Sequence, residues 1–207
     1  MEHSADIPFK VLLIGGPSGV GKSIVGASLA RDLGIPWLQV DDIRLALQYS
    51  GLVPREQHPE LFFFLDRADW RGSPETYRDK LIAVGRVISD ALRIVVESHI
   101  ATAVPIVIEG DGILPGFAAK IASEYDEGQV RSVFIVENDE DALLANMLKR
   151  GRGIDPNAAA EQQTETRGKA LFSAWIQREA ERYGLPTMTP LPWETLSGRL
   201  LSARRNA

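Results

Sequence analysis

The chain has 207 residues, enough to bury a full core in one α/β domain and to carry a helical insertion. Its 23 basic and 28 acidic side chains leave a net charge of −5, which excludes the overall basic footprint of a sequence-independent nucleic-acid binder. There is no cysteine, so disulfides, thiol catalysis and cysteine-ligated zinc are excluded as well.

The first ten residues, MEHSADIPFK, do not read as a basic segment followed by an apolar leader. The most apolar stretch, 91–108, is interrupted by Arg93, Glu97, His99 and Pro105, so no membrane span is expected. A cytoplasmic protein with no membrane and no nucleic-acid partner is the expectation.

Along the chain, strand and helix patterns alternate. Val11 to Ile14 is a continuous apolar run ending in glycines, as a buried parallel strand requires. A helix is predicted from Lys22 to Leu33, stopped by Gly34 with Pro36 just beyond. Further strands are predicted at Trp37–Val40, Val104–Ile108 and Val130–Val136, with a weaker one around Pro186–Met188. Helices between them make β-α-β crossovers, hence a parallel sheet covered on both faces.

More than sixty residues separate the second and third strands, more than one crossover helix needs. The last part reads as a helix with Ser73 as N-cap and Pro74 in its first turn. Leu81, Val84, Ile88, Leu92, Val95 and His99 make its apolar stripe, so His99 is expected in the core. The earlier part holds the LFFFLD cluster beside Arg55, His58, Arg67 and Arg71. Phe62, Phe63 and Phe64 are expected to fill the insertion's core, with one of them free to face a substrate.

The chemistry starts at IGGPSGVGKS. Gly16, Gly21, Lys22 and Ser23 fit G-x-x-x-x-G-K-[ST], after a strand and at the opening of a helix. Glycines there let backbone N–H groups curl round a phosphate, and the helix N-terminus adds its positive dipole end. Gly16, Pro17, Ser18, Gly19, Val20, Gly21, Lys22, Ser23 and Ile24 form the expected ATP cradle. Lys22 would reach the β- and γ-phosphates and Ser23 would ligate Mg²⁺.

Ligands of open parallel sheets lie outside the carboxyl ends of the strands. VDDIR puts Asp41, Asp42 and Arg44 at the end of the second strand, and VIEGDG puts Glu109 and Asp111 at the end of the third. Phosphoryl transfer needs one carboxylate to orient or deprotonate the acceptor and another on the metal side. Asp42 is expected to cap the next helix, which leaves Asp41 as the acceptor base. Glu109 is the expected metal-side carboxylate, and Arg44 and Asp111 are candidates to touch the acceptor.

NDEDALLANMLKRG reads as a helix capped by Asn138, with acids in its first turn and Lys149 and Arg150 in its last. Arg152 lies past the glycine, and residues 149–156 are expected to form a lid that brings Arg150 and Arg152 over the γ-phosphate. TPLPW, from Thr189 to Trp193, reads either as a loop against the nucleobase or as ordinary loop punctuation.

Together these features resemble the P-loop small-molecule kinases, a group that includes shikimate, gluconate and adenylate kinases. Within it, GGPSGVGKS, DDIR and VIEGDGILPG look most like the 2-phosphoglycerate kinase-like branch. The resemblance implies a P-loop fold with a five-stranded parallel sheet, order 2-3-1-4-5, in one domain over 1–207. It also implies an acceptor-binding insertion over about 45–100, with Asp41 and Arg44 on the substrate side and Glu109 on the metal side. Asp111 and Gly112 stand where that branch tends to have Val-His.

The expected activity is ATP- and Mg²⁺-dependent phosphorylation of a small hydroxylated, anionic metabolite. The alternatives are a nucleotide-dependent ATPase or switch with a protein partner, and a kinase of a macromolecule or an antibiotic.

Overall fold

In the computed structural model, residues 7–65, 73–150 and 159–203 are described. Strands β1 (Val11–Gly15), β2 (Trp37–Gln39), β3 (Ile106–Glu109), β4 (Val130–Ile135) and β5 (Thr187–Met188) form one sheet in the order β2-β3-β1-β4-β5. Every pairing is parallel; Val11, for example, faces Ile106 on one side and Val130 on the other. All of β1 is buried, because a central strand covered on both faces has no side turned to water. The order matches the one that the resemblance implied.

Helices α1 (Lys22–Leu33), α4 (Pro115–Ser123), α5 (Glu140–Arg150), α6 (Ala159–Arg182) and α7 (Trp193–Ser202) accompany the strands. Alternate residues of each strand feed two cores. Leu13, Ile108 and Phe134 join one with Phe172 and Ile176 of α6 and Ala118 of α4. Leu12, Ile14 and Val133 join the other with Val25 and Leu29 of α1 and Leu196 and Leu200 of α7. Each such fully buried large side chain is worth about 1.5–3 kcal/mol over its exposed state. No helix among the described residues is long and apolar enough to cross a membrane.

The insertion comprises α2 (Val40–Tyr49), a 3-10 helix (Pro59–Leu65) and α3 (Pro74–Ala101). Ser73 caps α3 as expected, its Oγ accepting from Thr76 N at 3.3 Å. The buried stripe follows Leu81, Val84, Ile88 and Leu92, but then takes Val96. Continuing in steps of four keeps this long helix aligned with the sheet, so Val95 is only half-buried. His99 is displaced from the core: its Nδ1 lies 2.9 Å from Val104 O and closes the turn after α3. Phe62 and Phe63 are buried, and Phe63 meets the Tyr77 ring edge-on at 5.7 Å.

Two expected caps are corrected. Asp139, not Asn138, caps α5: its Oδ1 accepts from Asp141 N at 2.9 Å and Ala142 N at 3.2 Å, while Asn138 Nδ2 donates to Gln177 Oε1 at 2.8 Å. Asp42 does not cap α2, because β2 runs into that helix with no loop between them. The cap position falls on Gln39, and Asp41 and Asp42 both lie in the first turn, where negative charge is favoured by the helix dipole.

Candidate active site

The loop between β1 and α1 folds as a cradle because of its glycines. Gly16 has φ +133°, and a Cβ there would come within 2.1 Å of Ile135 O. Gly21 has φ +84°, and a Cβ there would strike the Trp193 ring at 2.1 Å. Both positions therefore combine a backbone that L side chains avoid with no room for one. Gly21 is also the N-cap of α1 and offers no capping side chain, so the helix opens with backbone donors turned to the cleft.

Val20 is wholly buried under the loop, and Ile24 is 67% exposed, so only its backbone belongs to the cradle. Trp193, the last residue of TPLPW, thus lies on the P-loop side of the molecule.

Ser18, Gly19, Lys22, Ser23, Gln39, Asp41, Glu109, Gly110 and Asp111 line a cleft of about 50 Å³. Strand register creates this meeting: Ile14 pairs with Glu109 and Glu109 with Gln39. The carboxyl ends of β1, β3 and β2 thus deliver the P-loop, Glu109 and the start of α2 to one place.

Lys22, only 6% exposed, donates from Nζ to Pro17 O at 2.8 Å. Its ammonium is held at the cradle rather than out in solvent. Glu109 is 3% exposed and lies beside the Ser23 hydroxyl. Burial pushes the Glu109 carboxyl above its ordinary value, and Lys22 and Ser23 only partly offset that. Asp111 is raised as well, first by burial and then by the nearby Asp41 charge.

Asp41 is clamped from its own helix. Arg44 Nε and Nη2 both approach Asp41 Oδ1 at 3.1 Å, contacts in which Oδ2 takes no part. Arg44 Nη1 donates to Gln48 Oε1 at 3.0 Å, and the buried Gln48 donates from Nε2 to Leu61 O of the 3-10 helix. The guanidinium lies 4.7 Å from the Phe64 ring centroid, a cation–π contact. The LFFFLD cluster thus reaches the site through Gln48 and Arg44. Arg55 sits over Phe62 at 5.6 Å.

The donor set suits a magnesium nucleotide. A hydroxyl and a buried carboxylate adjoin glycines that admit backbone donors, with a lysine at the cradle. Among the described residues no group of three or more His, Asp or Glu side chains could hold an ion alone. Oxygens from bound phosphates would have to complete the shell of a hard cation.

No protein-family model matches the sequence, and no curated protein matches it. Solved structures do resemble it in overall course. A gluconokinase from Sinorhizobium meliloti 1021 is 18% identical, with TM-score 0.49, covering 96% of this chain and 92% of its own. A shikimate kinase from Acinetobacter baumannii, in complex with shikimate, is 16% identical, with TM-score 0.46 over 87% of this chain and 83% of its own. A deoxyadenosine kinase from M. mycoides is 16% identical, with TM-score 0.45 over 92% of this chain and 94% of its own.

Of the candidates from sequence, Ser18, Gly19, Lys22, Ser23, Asp41, Glu109 and Asp111 line one cleft, and Arg44 reaches it through Asp41. Arg152 lies outside the described residues, as do Arg67 and Arg71 and most of the expected lid at 149–156; Arg150 is the last residue of α5.

Sequence reasoning missed Gln39, whose place depends on β2 ending one residue early, and Gln48, an unremarked polar residue on an amphipathic helix. It also missed a buried group on α6. There Lys169 Nζ lies 2.5 Å from Glu165 Oε1, and Glu165 hydrogen-bonds the buried Tyr77, whose hydroxyl is held protonated well above its ordinary range, chiefly by burial. An i,i+4 Glu-Lys pair reads in sequence as a solvated helix face.

Proposed function

We propose that the chain is an ATP-dependent phosphotransferase acting on the hydroxyl of a small acceptor. The observation that carries this is the single cleft joining Lys22 and Ser23 of the cradle to Glu109, Asp41 and Asp111. In the transfer, the acceptor oxygen forms a new bond to the γ-phosphorus as the bond from that phosphorus to the β,γ-bridging oxygen breaks. The acceptor proton passes to Asp41 Oδ2 and ADP leaves.

Residues 16–24 bind the nucleotide phosphates, and Lys22 moves from Pro17 O to the phosphate oxygens. Ser23 and Glu109 would hold Mg²⁺, which supplies charge neutralisation at the phosphates. Arg150 and Arg152 are assigned to the transferring group. The resemblance of DDIR and VIEGDGILPG supports a 2-phosphoglycerate-like, anionic acceptor; the charges lining the cleft favour a different one.

The test is ADP release from Mg·ATP across a panel of hydroxyl-bearing metabolites, with Lys22→Ala as the blank. Stimulation by an acceptor, absent in the blank, is the expected result. Acceptor-independent hydrolysis of equal rate in every mixture would instead identify an ATPase or switch.

A further inference from the structure

Around the cleft, the acceptor-side groups are mostly hydrogen-bond acceptors. Asp41 and Asp111 line it together. Such carboxylates are satisfied by donors such as hydroxyl or ammonium hydrogens, and a third anion beside them adds repulsion.

The cations that could offset this are engaged elsewhere. Lys22 sits at the phosphate cradle. Arg44 places Nε and Nη2 on Asp41 and Nη1 on Gln48, with Phe64 beneath its plane. Lys169, buried on α6, is matched by Glu165 at 2.5 Å. Lys22, Arg44 and Lys169 are thus each assigned to the nucleotide or to a carboxylate.

We infer that the acceptor is a polyhydroxylated compound carrying no anionic group, with one hydroxyl on Asp41 Oδ2 and a neighbouring hydroxyl or ammonium donating to Asp111. This assignment rests on the phosphotransferase reading and narrows its substrate class. Arg44 then acts on Asp41 rather than on the acceptor, holding the Asp41 carboxylate in place from α2.

The experiment compares acceptors of one carbon skeleton that differ at a single group: the neutral polyol, its amino, its carboxylate and its phosphate counterpart. Steady-state ADP release gives kcat/KM, and calorimetry on protein saturated with Mg²⁺ and a non-hydrolysable ATP analogue gives Kd. The neutral or amino compound is expected to exceed its carboxylate and phosphate counterparts by about tenfold or more, equivalent to about 1.4 kcal/mol. Asp111→Asn is expected to shrink that ratio several-fold by removing one repelling charge. A carboxylate or phosphate counterpart that binds and reacts better overturns the charge assignment and leaves the phosphotransferase intact. Failure of every skeleton to bind or to stimulate ADP release, with the nucleotide analogue still bound, overturns both.

Discussion

At the scale of single residues, the cleft holds two carboxylates, Glu109 and Asp111, whose charged forms burial disfavours. Burial raises Glu109 above its ordinary 4.5 and, with the help of Asp41, raises Asp111 above its ordinary 3.8. An acid with a raised folded-state value contributes its full stability below the unfolded value, and that contribution is lost as pH rises through the folded one. Glu109→Gln and Asp111→Asn should therefore raise Tm at neutral pH, by about 2–4 °C for each kcal/mol relieved in a chain of this size. The gain should shrink as pH falls towards 4, and thermal melts across pH 4–8 check it; a gain of equal size at pH 4 would show that ionisation is not its cause. Asp41→Asn tests a different property. If Asp41 is the general base proposed above, its loss should lower kcat by about 10²–10⁴ while Kd for Mg·ATP by calorimetry moves little. The cradle and both acidic clusters were legible in the sequence because their spacing and place at strand ends are chemical requirements. The capping roles of Asp42 and Asn138 were misread because a cap depends on where a helix starts, to the residue, and periodicity does not fix that.

Among the elements, the insertion explains itself through one side chain. Gln48 joins Arg44 to Leu61 O while itself only 6% exposed, so it ties α2 to the 3-10 helix and fixes the guanidinium that clamps Asp41. Gln48→Leu keeps most of the volume but strands Leu61 O and one arm of Arg44. Leaving such a buried group unsatisfied costs about 1–3 kcal/mol, readable by urea denaturation. The same variant should lower kcat by about tenfold with Kd for Mg·ATP unchanged, since a slackened Asp41 affects the chemistry and not the cradle. Unchanged kcat would mean that Asp41 is positioned without the relay. The element order was readable from apolar runs and glycine stops, yet this relay was not. Its partners are distant in sequence, and Gln48 has the same pattern signature as a solvent-facing residue. The stripe of α3 failed at its far end for a related reason: in a helix of 28 residues a single three- or four-residue step decides which of Val95 and Val96 faces the core.

For the molecule as a whole, the sheet divides the fold into two cores that meet at β1, and the cradle sits where that strand ends. Gly21 touches Trp193 at the start of α7, and Glu109 lies against Ser23 of α1, so the cradle contacts elements on β1, β3 and the C-terminal helix. A ligand seated there ties together parts of the chain that are far apart in sequence. Binding to the folded state alone stabilises it by RT ln(1 + [L]/Kd), about 2.7 kcal/mol at a hundredfold excess over Kd. At about 2–4 °C per kcal/mol for a chain of this size, Mg·ADP or Mg·ATP should raise Tm by about 5–10 °C. Removing the ammonium should abolish most of that rise, so Lys22→Ala is the control in the same scan. The rise is read against each protein's own Tm without nucleotide, since Lys22→Ala also removes the bond to Pro17 O and a charge that partly offsets the buried Glu109. An equal nucleotide-induced rise in parent and variant would place the bound phosphates somewhere other than the glycine cradle.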